Sequence, residues 1–273
     1  MNLNTFILSI CLVVLFSGCK KTTDPDSEPL TPEGYSLIWS DEFDTNGLPD
    51  NSKWSYNVGG SGWGNSEAQY YTGSRLNNAE IKNGYLYLTA IKEDFEGKQY
   101  TSARLVTKGK GDWLYGRIEV RTKLPQGVGL WPAIWMLPSD NTYGKWPDSG
   151  EIDIMESLGH IPNFVAATIQ TKTKNALLGT QKTTIQSVPD CYTAFHNYIL
   201  EWDTDEMRIY VDKTQYNSYK NDGSGFENWP FDKPFHLILN IAVGGTYGGI
   251  QGIDDSIFPQ SMAVDYVRVY RKN

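Results

Sequence analysis

The chain has 273 residues, 40% hydrophobic and 21% charged, enough apolar material for a single sizeable core. Its net charge of −8 argues against nucleic acid or an anionic membrane surface as partner, and more weakly against highly sulfated polymers. The 9 Trp and 17 Tyr offer flat apolar faces that suit sugar rings, although most of them are expected to fill a β-protein core.

The N-terminus reads as an address, not as part of the fold. Phe6 to Phe16 is almost wholly apolar and too short to span a bilayer. It runs into Leu15-Phe16-Ser17-Gly18-Cys19, which resembles a bacterial lipoprotein signal, with Cys19 as the lipidated residue. Met1 to Thr5 lacks the usual Lys or Arg, and an ordinary cleaved secretory signal is the alternative. Residues 1–18 are thus a signal peptide and 19–33 a lipidated cysteine with a polar, proline-containing tether, expected to be disordered. Residues 34–273 form one domain. The expected location is the bacterial cell envelope, anchored by lipid alone in the outer membrane, at the surface or on the periplasmic face. With Cys11 lost and Cys19 lipidated, Cys191 has no partner, so the domain relies on its core.

From Tyr35 onward short alternating segments recur between turn signals. Tyr85 to Ile91 follows Asn83-Gly84, and Arg117 to Leu124 alternates strictly, with Ile118, Val120, Thr122 and Leu124 on one face. Strands are also predicted over Leu130–Leu137, Phe164–Thr171, Asn197–Trp202, Met207–Val211, Phe235–Val243 and Val264–Tyr270. The pattern predicts an all-β antiparallel sandwich or barrel, without internal repeats or a second domain.

Gly150 to Ser157 carries the chemistry. Glu151, Asp153 and Glu156 fall within six residues with no cation among them. On a strand, Glu151 and Asp153 share one face and Ile152 and Ile154 the other. Glu156 joins the acidic face only if a β-bulge at Met155 supplies an extra residue. Two carboxyls so held suit a retaining glycosidase, which needs them about 5–5.5 Å apart. The bland alternative is a half-exposed strand with a solvated acidic face. Against it stand the mutual repulsion of like charges on a sheet face and the neighbouring Trp131, Trp135, Tyr143 and Trp146.

The ordered set of motifs resembles glycoside hydrolase family 16 across the whole domain. It comprises Ile38-Trp-Ser-Asp-Glu-Phe-Asp44, Gly62-Trp-Gly-Asn-Ser-Glu67, Tyr100-Thr-Ser-Ala-Arg-Leu105, Leu130-Trp-Pro-Ala-Ile-Trp-Met-Leu-Pro138, Gly150–Ser157, Ile241-Ala-Val-Gly-Gly245 and Val264-Asp-Tyr-Val-Arg-Val-Tyr270. The resemblance implies a β-jelly roll of two stacked antiparallel sheets with a sugar-binding cleft on the concave face. The extra residue Met155 resembles the laminarinase-like branch, which cuts β-1,3-glucan, more than the lichenases.

By that resemblance Glu151 is the nucleophile, Glu156 the acid/base and Asp153 the residue that tunes the nucleophile. Trp131, Trp135 and Trp146 would stack sugars, and Asn65, Glu67 and Arg104 would line the cleft, Arg104 having a structural ion pair as its alternative. Ala166 and Ala176 stand where relatives often have His, and Gln170 is near another such position. His160, His196 and His236 read as core or loop residues. No cofactor serves catalysis. Some relatives bind a structural calcium; the matching positions are Asp265 and the carbonyls of Glu42 and Gly84, and Asp265 either ligates or only hydrogen-bonds in the sheet. The expected partner is a β-glucan polysaccharide and the expected state a monomer. Mixed-linkage β-1,3-1,4-glucan is the alternative substrate, and a non-catalytic glycan-binding lipoprotein the alternative from another class.

Overall fold

The computed structural model describes residues 31–273. The expected signal segment and Cys19 lie outside the described residues. The strands are β1 (Tyr35–Asp41), β2 (Ser55–Tyr56), β3 (Gln69–Tyr71), β4 (Ala79–Lys82), β5 (Tyr85–Phe95), β6 (Lys98–Ser102), β7 (Arg104–Val106), β8 (Asp112–Trp113) and β9 (Gly116–Lys123). They continue as β10 (Leu130–Pro138), β11 (Glu151–Glu156), β12 (Phe164–Gln170), β13 (Lys182–Ser187), β14 (His196–Trp202), β15 (Glu206–Val211), β16 (Thr214–Lys220), β17 (Phe235–Val243) and β18 (Gln260–Lys272). One helical turn, α1 (Gly245–Gly248), follows β17.

The strands form two sheets. One runs β16-β15-β14-β9-β18-β5-β6-β3, with β1 and β4 paired to β18 and β5. The other runs β13-β12-β11-β10-β17-β7-β2, with β8 on β17. The alternation read in the sequence explains the layering. Ile118, Val120 and Thr122 on β9 are buried between the sheets, as are Leu237, Leu239 and Ile241 on β17. Glu119, on the other face of β9, is buried because Arg117 Nη2 and Tyr266 OH donate to its carboxylate at 3.0 and 2.7 Å. The fold is a β-jelly roll. One pairing departs from the antiparallel expectation: β3 runs parallel to β6.

The residues expected to hold calcium converge through strand register. β5 pairs with β18 as far as Val264↔Leu86, and β1 takes over from Asp41↔Val267. Asp265 lies at the irregularity between them; Gly84 just precedes β5 and Glu42 just follows β1. The donor set is all oxygen, as calcium requires. One Asp265 oxygen already accepts from Arg121 Nε at 3.0 Å. Among the described residues no group of three or more His, Cys, Asp or Glu side chains is placed to hold a metal.

Candidate active site

The register of β11 shows how three carboxyls reach one face. Against β12, Asp153 lies opposite Thr168 and Glu156 opposite Ala166, so Ile154 and Met155 together oppose Ala167. Against β10, Met155 pairs with Ile134 and Asp153 with Trp135, which leaves Ile154 as the extra residue. The sequence reading put the bulge at Met155; the structure spreads it over Ile154 and Met155, with Ile154 unpaired. Both side chains are apolar and both enter the core, so side-chain pattern alone does not choose between them and the ladder does. Gly150, which opens the strand, has φ +85, and a Cβ there would come within 2.8 Å of Pro230 and Phe231.

Glu151, Asp153 and Glu156 point into a cleft of about 850 Å³ on the outer face of this sheet. Asn65, Glu67, Arg104, Trp131, Trp135 and Trp146 line the same cleft, so all nine expected side chains meet there. Their contacts refine what each can do. Trp131 Nε1 donates to Glu156 Oε1 at 2.9 Å, which makes this indole a holder of Glu156 as well as an apolar surface. Trp135 Nε1 donates to Asn240 Oδ1 at 2.7 Å. The Arg104 guanidinium lies between the rings of Trp63 and Trp135, 4.8 and 4.6 Å from their centroids. These two aromatic faces are what hold it. Glu67 is 5% exposed and gathers Asn65 Nδ2, Gln69 Nε2 and Tyr71 OH at 3.3, 2.6 and 3.1 Å. It organises the cleft wall more than it reaches into the cleft.

Electrostatics follow from crowding three acids in a partly dry site. Burial first, then the charge of Glu156, pushes Glu151 up to about 7. Burial pushes Glu156 up to about 6, against the hydrogen bonds from Trp131 and Thr168. Asp153 rises well above the carboxylate range through burial and then its two glutamate neighbours. A protonated Asp153 donates to Glu151, and Gln170 Nε2 and the Trp146 side chain also hydrogen-bond to Glu151, all favouring its ionised form. Both glutamates are thus held above the ordinary carboxylate range, Glu151 the further of the two. The trio can therefore supply a nucleophile and a proton donor together.

The sequence reading gave no contact to several residues around the carboxyls. Gln170 sits directly opposite Glu151 on β12 and donates to its Oε1 at 2.6 Å, while its own Oε1 accepts from Ala176 N at 3.1 Å. It therefore takes up, with the Ala176 backbone, a place where the resemblance suggested His. Ala166 faces Glu156 across the ladder. Tyr247 on α1 meets the Trp131 ring edge-on at 5.4 Å, and Gly248 permits this approach because a Cβ there would lie 2.9 Å from Trp131 Cβ. His236, expected in core or loop, is buried and lines one end of the cleft; burial, then Lys108, lowers it to about 4, so it is neutral. Only long-range pairing brings these residues in, and no local spacing marks them.

An all-β sandwich with carboxyls gathered in an aromatic cleft is suited to cleaving carbohydrate. The family model for glycosyl hydrolases family 16 matches residues 66–268, and the chain belongs to that family and is a glycoside hydrolase. It is 50% identical over 278 residues to a beta-glucanase of Rhodothermus marinus, covering 99% of this chain and 95% of that protein. The X-ray structure of the laminarinase from Rhodothermus marinus matches with a TM-score of 0.86 at 55% identity, over 87% of this chain and 97% of that one. The structure of SCLam, a non-specific endo-β-1,3(4)-glucanase, matches with a TM-score of 0.84 at 46% identity, over 89% and 93% of the two chains.

Proposed function

We propose that this chain is a retaining endo-β-1,3-glucanase acting by double displacement. The observation that carries the reading is the β11 bulge, which turns Glu151, Asp153 and Glu156 to one face. Glu151 attacks the anomeric carbon while Glu156 gives its proton to the departing glycosidic oxygen, leaving a glycosyl ester on Glu151. Glu156 then takes a proton from the water that attacks the same carbon, and Glu151 leaves as a carboxylate. Asp153 donates to Glu151 throughout, and Trp131 and Thr168 hold Glu156. The linkage rests on the likeness to the laminarinase and beta-glucanase named above.

Mixed-linkage β-1,3-1,4-glucan is the second reading, supported by the likeness to SCLam, because the same chemistry cuts either bond. A pure glycan binder has no need of three repelling carboxyls. Incubation with laminarin, lichenan, agarose and carrageenan, followed by product identification, tests this. Oligosaccharides from laminarin are expected, and release from agarose or carrageenan alone would overturn the assignment. A calcium at Asp265 and a lipid on Cys19, which would anchor the enzyme to the outer membrane, complete the proposal.

A further inference from the structure

A bulge is a weak point in a sheet. The inserted residue leaves the ladder, and its carbonyl needs a new donor or pays for burial without one. Here that partner comes from the opposite sheet. Tyr216 OH, on edge strand β16, crosses the core and donates to the carbonyl of Ile154, the residue with no partner on β10. The next residue, Asn217, donates from Nδ2 to the carbonyl of Ala167 at 2.8 Å. Ala167 is the residue that faces the bulge from β12. Both sides of the bulge are thus held by two consecutive side chains.

Consecutive residues on a regular strand point to opposite faces. Tyr216 and Asn217 both point inward because β16 is itself irregular. Against β15, Asn217 pairs with Ile209 and Gln215 with Tyr210, so Tyr216 is an extra residue. Tyr216 and Asn217 are 6% and 4% exposed. A filler of the core needs neither the second bulge nor hydrogen bonds aimed at the two carbonyls that bracket the first. We infer that Tyr216 and Asn217 are positioning residues, and that this bulge-to-bulge clasp sets where Glu156 stands relative to Glu151. The inference rests on the proposed roles of those two glutamates. Neither clasp residue touches the cleft, so their effect passes through the backbone of Ile154 to Glu156.

The test uses Tyr216→Phe, which keeps the ring and removes the donor, and Asn217→Ala, each in the full chain. On the glucan that the parent enzyme hydrolyses, kcat is expected to fall about tenfold, since small misplacements of reacting groups cost that much or more, with KM within about twofold. Val269→Ala on β18, a buried residue remote from the cleft, controls for lost stability. Amide exchange gives a readout independent of substrate: Ile154 to Glu156 should exchange faster in Tyr216→Phe, with β10 and β17 unchanged. Unchanged kcat with unchanged protection at Ile154 to Glu156 would overturn the inference, as would an equal kcat loss in Val269→Ala. If the parent enzyme cuts no β-glucan, the proposed function fails, and the exchange data alone then decide whether the clasp exists.

Discussion

Replacing Glu151 with Gln should abolish hydrolysis and also make the protein more stable, increasingly so as pH rises from about 4.5 to about 7. The carboxyl is raised from its ordinary 4.5 to about 7 by burial and by Glu156. Its contribution to stability is fully present below the unfolded value and is lost as pH rises through about 7, because the folded state then holds a charge that water would hold more cheaply. That rise is worth about 3 kcal/mol at most. Gln is nearly isosteric, still accepts from Gln170 Nε2, and carries no charge at any pH. For a domain of this length 1 kcal/mol moves the melting temperature by roughly 2–4 °C. The Glu151→Gln protein should therefore melt roughly 5–10 °C above the parent at pH 8 and close to it at pH 4.5. Thermal melts across that range, with reducing-sugar release as the activity assay, check both halves. A melting difference that is the same at pH 4.5 and pH 8 would refute the electrostatic argument, and full activity would sink the nucleophile.

Proton NMR of the first-formed reducing ends should show the anomeric configuration of the substrate retained, because the bulge keeps the two carboxyls near one another; an inverted first product contradicts it. Deleting Met155 should return β11 to strict alternation and turn Glu156 into the core, so a folded deletion protein should be inactive, and retained activity would mean the bulge is dispensable. Calcium added after chelation should raise the melting temperature by mass action, more in the parent than in Asp265→Asn; a melt that does not move would mean no calcium at Asp265. Labelled fatty acid should enter the protein in a lipoprotein-processing bacterium and be lost in Cys19→Ser, whereas release of unlabelled protein points to an ordinary secretory signal.

The carboxyl trio was legible because parity on a strand is a local property. Two residues apart means the same face, three apart means the opposite face, and only an inserted residue brings Glu156 back to Glu151. Which residue is inserted is not local. Ile154 and Met155 are both apolar and both buried, and the choice is made by pairing with Ile134 on another strand. The same limit hid the contact of Gln170 with Glu151, made only through the β11–β12 register, and the role of Tyr216, whose inward turn depends on a bulge against β15. Among the strands that went unread, β13 and β16 were missed for a different reason. β13 is Lys-Thr-Thr-Ile-Gln-Ser and β16 is Thr-Gln-Tyr-Asn-Ser-Tyr-Lys. Both are edge strands whose composition answers solvent more than core, so hydrophobic alternation is faint. Arg104 was expected either in the cleft or in an ion pair. It lies in the cleft between two indoles, one of which, Trp63, has a ring that faces it only after the 62–67 loop has folded back.

The pairing of β18 has a temporal consequence. This strand joins β1, β5 and β9, and Arg268 grips the Glu42 carboxylate through Nε and Nη2 at 3.0 and 2.9 Å. β18 follows the other strands in chain order, so until residues 260–272 dock the larger sheet has a gap at its centre with β1 unmoored. Contacts of such long sequence separation close slowly. Partly folded forms that lack this strand consequently have few stable stopping points, and closing the larger sheet waits on residues 260–272.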